Sequence, residues 1–304
     1  FLGTPPMRSE ERTAYLAILP VGLLLVFFVY YPAISTFLLG LTDANPRVQG
    51  LEGSAHFIGL RNYAQTLGSG EFWASVWRTV LIVLMVLPLE LAIGLAAAMI
   101  LNEQFRGRAV LRTITIVPWM LPPLVNGFMW SWILNGDYGA LNGLLYQLHL
   151  VTGYHHWLAS PSAQLFWVAV AQVWTRFPFA MVVLLAALQS IPQDVVEAAR
   201  VDGARPAQIF RSVTFPMLLP AFTVALAVEF IVTFQIFDVI WSLTAGGAAG
   251  QVINPFTKAV MILNYEVVFR NLDLGLGSAL AYLILVLSMG VGYVFVRMLY
   301  ERGA

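Results

Sequence analysis

Apolar residues in this chain do not come singly at helix or strand period; they run together for whole stretches. Six stretches, roughly 14–41, 77–101, 110–134, 164–188, 217–241 and 274–298, are long and apolar enough to qualify as spans. About 20 mostly apolar residues at 1.5 Å rise suffice to cross a bilayer. The pattern predicts an all-α polytopic membrane protein of about six transmembrane helices: a polar N-terminal segment 1–13, then a membrane domain 14–304 interrupted by a charged loop at 189–216. The first apolar run is too long for the core of a signal peptide and reads as a retained span. Prolines fall inside the stretches at Pro20, Pro32, Pro88, Pro118, Pro122, Pro123, Pro178 and Pro220. Backbone groups freed by such breaks must be satisfied by protein or by a water-filled cavity. A plain anchor has no need of them, whereas a transport path does.

Charge changes the picture in three ways. Only 11% of residues are charged against 59% hydrophobic, less than half the ~25% charged typical of soluble domains. The formal net charge is zero, which argues against a nucleic-acid partner. The basic residues are unevenly distributed. With the N-terminus inside, the inner segments hold Arg8, Arg12, Arg106, Arg108, Arg112, Arg200, Arg205, Arg211, Arg297 and Arg302, against Arg47, Arg61, Arg78, Lys258 and Arg270 outside. That bias favours cytoplasmic termini. Cysteine is absent, and His56, His149, His155 and His156 sit in loops without an acidic cluster, so no metal site is expected.

The stretch "EAARVDGARPAQIFRSVTFP" (197–216) is the least membrane-like part of the interior. Pro192 suits a first helical turn with Ser190 as a nearby cap, and Asp194 and Glu197 lie close to the positive helix end. Gly203 ends that helix. "RPAQIFRSV" starts a second one with Pro206 in its first turn, and Pro216 closes it. Val195, Ala198, Ala199 and Ile209 offer small apolar surfaces between the charges. The bland reading is a solvated connector; the alternative is a self-capped elbow exposed to the cytosol.

The elbow resembles the EAA motif of binding-protein-dependent ABC import permeases. Glu197-Ala198-Ala199, Gly203, Val213 and Phe215-Pro216 stand at the family spacing, with Val and Phe in place of the usual Ile and Leu. "YPAISTFLLGLTD" (31–43), "FIGLRNY" (57–63), "VPWMLPPLVNGFMWSWILNGDYGALN" (117–142), "VWTRFPF" (173–179), "FDVIWSLTAGG" (237–247) and "LGLGSALAY" (274–282) are similar to maltose-type permeases of the larger-subunit type. The sequence shows neither that subunit's big extracellular domain nor its extra N-terminal spans, so the chain is expected to resemble that subunit without them, and Arg78-Thr79 replaces the usual Asn-Thr.

The resemblance implies a type I importer permease fold in a prokaryotic cytoplasmic membrane. It implies as partners a second homologous permease subunit, making a heterodimer, together with an ABC ATPase dimer and an extracytoplasmic sugar-binding protein. Glu197, Ala198, Ala199, Asp202, Gly203 and Ala204 would form the coupling helix and turn seated on the ATPase. The substrate would be a di- or oligosaccharide.

No P-loop is present: the single lysine, Lys258, stands in "NPFTKAV" without the required glycines or the following Ser or Thr. The chain is therefore read as a non-enzymatic transport subunit without cofactors of its own, ATP and Mg belonging to the partner ATPase.

Glu90, Arg176 and Glu229 lie near mid-span, where an ionised side chain facing lipid costs several kcal/mol. Gln172, Arg176 and Phe179 share a helix face at i, i+4, i+7, and Glu229, Thr233 and Ile236 repeat the spacing. Polar groups beside an aromatic platform suit a sugar. The resemblance adds Thr175 and Val232 to these as substrate-binding positions. Asp238 and Trp241 lie near the outer end of the fifth span, where they and Gly246 and Gly247 would form part of an outer gate or a binding-protein docking surface; the competing reading is that the glycines are simple turn formers. An Arg176–Glu229 ion pair serving only helix packing is the competing reading, and Glu90 is read as structural, beside the break at Pro88. A proton-coupled carrier using Glu90, Arg176 and Glu229 is the alternative function.

Overall fold

The computed structural model describes residues 7–50, 54–244 and 254–303. It is all-α; among the described residues the only β feature is an isolated bridge between Thr42 and Phe57. The main helices are α1 (Thr13–Gly40), α2 (Gly70–Asn102), α3 (Arg108–Met120), α4 (Pro123–Ile133), α5 (Pro161–Ser190), α6 (Gln193–Val201), α7 (Pro206–Phe234), α8 (Asp238–Thr244) and α9 (Leu274–Gly303). Five are long and apolar enough to cross a membrane, or six if α3 and α4 together make one span.

Two expected spans differ from straight rods. The stretch 110–134 is broken into α3 and α4, which meet at 97°. The cause is local: Leu121 precedes proline and takes ψ 132, Pro122 follows at ψ 135, and neither conformation continues a helix. The stretch 217–241 is displaced. Its helix begins at Pro206 and ends at Phe234, and the chain then restarts as the short α8.

Pro216 was expected to close a helix and instead lies inside one. Residues Phe210–Thr214 form a π turn, in which the Phe215 N–H donates to the Phe210 carbonyl five residues back. The same device precedes Pro32, where Val26–Tyr30 form a π turn and the Tyr31 N–H donates to the Val26 carbonyl. A widened turn relocates the backbone bonds around a residue that has no N–H and whose ring crowds the preceding turn.

The described residues form two compact units. One draws on Phe1–Ser69 and Asn264–Leu285. There the buried Asn62 donates from Nδ2 to the carbonyls of Gly40 (3.0 Å) and Thr42 (2.8 Å), pairing backbone acceptors at the end of α1. The Gly275 N–H donates to the Ala44 carbonyl at 2.9 Å, holding the start of α9 to the same turn. Asp43 accepts the His56 N–H at 2.6 Å and Gln49 Nε2 at 3.0 Å. Desolvation is outweighed there: the His56 N–H above all, then Gln49 and the His56 ring, hold the Asp43 carboxyl below its usual value.

The other unit, Gly70–Leu263 with Val286–Ala304, carries the candidate site. Its centre is α2 against α5, approaching closely at Gly94. A Cβ there would stand 2.8 Å from the Ala180 Cβ and 3.1 Å from both the Met181 nitrogen and the Phe177 oxygen. Small residues that let backbones approach are the usual basis of helix packing in lipid, where packing rather than hydrophobicity supplies the attraction. Ala98, Leu101, Met181, Leu184, Leu185, Leu188 and Leu218 continue the contact toward the elbow. Ile82, Val86, Val168, Ile236, Val239, Ile240 and Ile262 pack the opposite end.

Candidate functional site

Arg176 on α5 and Glu229 on α7 meet through two parallel hydrogen bonds, Nε to Oε2 at 2.9 Å and Nη2 to Oε1 at 2.7 Å. The fork matches the planar guanidinium to both carboxylate oxygens, the strongest geometry such a pair adopts. The Glu229 side chain is fully buried and that of Arg176 is 19% exposed, so the cation is the member reachable from outside the protein. Arg176 also lies over the Phe179 ring at 5.7 Å, and Phe179 in turn contacts Trp119 of α3.

Glu90 on α2 completes the cluster. It is fully buried, its carboxylate oxygens make no hydrogen bond of standard geometry, and it lies close against the Glu229 carboxylate with the Arg176 guanidinium nearby. Expected to serve the backbone break at Pro88, it belongs instead with the ionisable pair. Two acids thus share one base.

The remaining expected contacts divide. Gln172 is buried on the same face of α5, one turn from Arg176. Thr233 is buried one turn from Glu229, and its hydroxyl is unpartnered. Thr175 is buried but donates its hydroxyl to the Ala171 carbonyl of its own helix at 2.9 Å. Val232 is 37% exposed, away from the buried face of α7. Ile236 does not extend the Glu229–Thr233 stripe, because α7 ends at Phe234; it packs in an apolar cluster with Ile82 and Val239.

Asn126 is a polar residue that the sequence reading passed over. It is fully buried on α4 and donates to the Ala171 carbonyl at 3.3 Å, while its own Oδ1 lacks a partner. A lone amide just after the Pro122-Pro123 break was the available signal.

The elbow is built as a turn between two helices. Asp194 lies in the first turn of α6, near its positive end, and Pro192 stands just before the helix as its N-cap residue. Ser190 does not cap α6; it ends α5 and donates to the Ala187 carbonyl at 2.8 Å. At the far end the Gly203 N–H donates to Arg200 and the Ala204 N–H to Ala199, both at 3.0 Å, a Schellman closure that needs the left-handed φ of +79° found at Gly203. The Arg205 N–H then donates to Gln208 Oε1 at 2.8 Å and starts α7. Glu197, Ala198, Asp202 and Gly203 are exposed, Ala199 and Ala204 half-buried. Ile209, expected at the surface, is buried. Ala199, Asp202, Gly203, Ala204, Gln208 and Ile209 line an open recess of about 380 Å³.

Of the expected outer-gate residues, Asp238 is exposed at the start of α8, and Trp241 is half-buried and stacks on Phe237 at 5.7 Å. Gly246 and Gly247 lie outside the described residues. Among the described residues no group of His, Cys, Asp or Glu could hold a metal ion.

A family model described as "Binding-protein-dependent transport system inner membrane component" matches residues 90–303. The chain is 36% identical over 289 residues to the trehalose/maltose transport system permease protein MalF of Thermococcus litoralis, with 95% of this chain and 94% of that protein covered. It is 34% identical over 298 residues to the sulfoquinovosyl glycerol transport system permease protein SmoG of Agrobacterium fabrum, covering 96% and 91%. A chain in the crystal structure of a bacterial ABC transporter involved in the import of the acidic polysaccharide alginate superposes with a TM-score of 0.75 over 96% of both chains. At 19% identity that likeness is one of fold.

Proposed function

The chain belongs to the family of binding-protein-dependent transport system inner membrane components, and on that premise we propose that it forms half of the translocation path of an ATP-driven importer of di- or oligosaccharides. The sugar class is supported by the names of the relatives, which include trehalose and maltose systems. Partners in this reading are a second, homologous permease, an ATPase dimer that binds ATP and Mg, and an extracytoplasmic sugar-binding protein. The chain itself catalyses no reaction and holds no cofactor. Both termini and the elbow face the cytoplasm.

One observation carries the coupling reading. α5 and α7 bear the two halves of the Arg176–Glu229 pair, and the elbow joins the ends of those same two helices. Glu229 lies 23 residues along α7 from Pro206, ~35 Å at 1.5 Å per residue. A partner that grips Glu197, Ala198 and Ala199 and shifts the elbow acts on both helices at once, and packed helices transmit such shifts as rigid bodies. The exposed small residues and the recess at Gly203 are suited to close approach by another protein. At the other end of the lever, Arg176 offers hydrogen-bond donors to sugar hydroxyls, Phe179 a face for sugar C–H groups, and Gln172 and Thr233 further polar contacts.

The test is sugar-stimulated ATP hydrolysis and uptake by the reconstituted assembly with Glu197→Ala and Gly203→Pro beside the parent. Loss of the ATPase from the complex, or hydrolysis without uptake, supports the elbow as coupling helix. Normal transport by both variants, with uptake that survives removal of the ATPase and collapses with the proton gradient, would install a carrier built on Glu90, Arg176 and Glu229. No relative named above favours that second reading.

A further inference from the structure

At the end of α5 remote from the elbow lies a cavity of about 460 Å³. Gln164 on its wall is 26 residues from Ser190 at the elbow end, ~39 Å along the helix, so the cavity opens on the extracytoplasmic side when the elbow is cytoplasmic. Its walls come from the end of α4, the turn at 134–138, the segment 156–159 and the end of α8.

One buried residue ties two of the cavity's walls together. Asn142 is fully buried, and its Nδ2 donates to the carbonyls of Asn135 (3.1 Å), Gly136 (3.3 Å) and His155 (2.9 Å). Its Oδ1 accepts the His155 N–H at 3.1 Å and the Trp157 indole N–H at 3.0 Å. A single amide thus clamps two walls and fixes the Trp157 ring. Asn135 Oδ1 accepts the N–H groups of Asp137 (2.8 Å) and Tyr138 (3.2 Å), presenting those two side chains at the mouth. Gln164 is spent as well, donating to the Leu158 carbonyl and accepting from Asn254.

What remains for a ligand is the Asp137 carboxylate, the His156 imidazole, the Tyr138 hydroxyl, and the rings of Trp132, Tyr138 and Trp157. Lysine and arginine are absent from the lining, and an acid is present, so anions are disfavoured. The described residues form no metal-ligand cluster. The lining is too polar for an apolar guest. Rings that pack on C–H faces beside acceptors and donors for hydroxyls fit a neutral, polyhydroxylated molecule, and the volume falls within the ~300–1,000 Å³ of small-molecule sites.

We propose that this cavity is a second sugar-binding site, an outer station from which sugar passes to the Arg176–Glu229 pair. The proposal rests on the sugar-import reading above. Arg176 lies 12 residues further along α5 than Gln164, ~18 Å deeper, so the two stations are separate.

The experiment uses the full assembly in nanodiscs, without binding protein, titrated with trehalose and with maltose by calorimetry. The variants are Asp137→Ala and Trp132→Ala, both altering exposed side chains, each also made with Arg176→Met/Glu229→Leu, which silences the inner pair without leaving a buried charge unpaired. Weak binding that persists in the Arg176→Met/Glu229→Leu background, with thermal unfolding checked in the same sample, and that falls about tenfold or more in either outer variant is the expected result. Binding unchanged by both outer variants overturns the outer site, as does binding that vanishes in the folded Arg176→Met/Glu229→Leu protein. If the outer variants lose only stimulation of hydrolysis by the binding protein, the cavity receives that protein and not sugar. Failure of sugar import is read separately: if the parent assembly with its binding protein takes up neither sugar, the substrate reading falls, and the outer site falls with it.

Discussion

Arg176 and Glu229, 53 positions apart in sequence, hold each other through two hydrogen bonds of 2.9 and 2.7 Å across α5 and α7. Removing one member of such a buried pair leaves the other charge uncompensated, typically at ~3–5 kcal/mol, whereas an apolar replacement of both can be neutral. Arg176→Met or Glu229→Leu alone should therefore lower thermal stability in detergent strongly, and the double variant should recover most of the loss. Transport separates pairing from ligand contact. If the pair only fixes packing, uptake recovers with stability in the double variant; if Arg176 meets sugar, uptake stays lost.

Glu90 should behave in the opposite sense to Glu229. Its carboxyl makes no hydrogen bond of standard geometry and lies close against a second acid, Glu229. Glu90→Gln keeps the volume and removes an acid from a site holding two acids and one base, so stability should hold or rise by ~1 kcal/mol. Glu229→Gln, which breaks the fork to Arg176, should lower it by several times as much. Paired thermal-unfolding curves in the same detergent decide the matter, and equal losses would mean that Glu90 also holds Arg176.

At Gly94 the question is volume. A methyl group there meets the Ala180 Cβ at 2.8 Å and two backbone atoms at 3.1 Å. Gly94→Ala should cost ~1–3 kcal/mol, as overpacking of a close contact does. Adding Ala180→Gly should return only part of it, because the backbone of Phe177 and Met181 remains in the way. A differential scanning measurement on both variants tests this.

Gly203 needs a left-handed φ of +79°. Gly203→Val should cost ~1–2 kcal/mol locally, and Gly203→Asn less, since asparagine tolerates that region. The readout is retention of the ATPase on purification and coupled hydrolysis, with Asn closer to the parent than Val.

Asp43 gives a pH dependence. The His56 N–H, foremost among its partners, holds its folded pKa below the ordinary 3.8. A carboxyl with a depressed folded pKa stabilises above the unfolded value, and that contribution disappears as pH falls through the folded one. Protection of the His56 amide against hydrogen exchange, corrected for intrinsic rates, should be full at neutral pH and decline below about pH 4. In Asp43→Asn the decline should be absent.

Much of this was legible in the chain, and the parts that were not share a cause. The long apolar runs located α1, α2, α5 and α9 because burial in lipid demands length alone. Arg176 and Glu229 stood out because charge in such a run needs a partner, and helix spacing placed Gln172 and Thr233 beside them. Spacing failed where the helix stopped. Ile236 lay on the expected stripe only if α7 continued past Phe234, and it does not. Val232 came through resemblance and lies on an exposed face. Glu90 stood out as a mid-span charge but read as structural beside Pro88, because its place beside Arg176 and Glu229 depends on α2 packing beside α5 and α7, a long-range contact that no local pattern encodes. The elbow read well at Gly203, where local backbone chemistry decides, and less well at Ser190 and Pro216, where the flanking helices override it.

The π turn at Phe210–Thr214 changes how directions along α7 are counted. Each residue of an ordinary α-helix turns the side-chain direction by ~100°, and a widened turn absorbs one residue without that rotation. A wheel drawn straight through from Gln208 therefore assigns Glu229 an azimuth wrong by about a quarter of a revolution. Elbow and buried acid are in phase with one another only because a residue has been hidden between them. Residues 210–214 are thus the one described part of α7 where the rod can differ in length by a residue and still aim Glu229 at Arg176; a residue gained or lost above that turn would swing the acid away from its base.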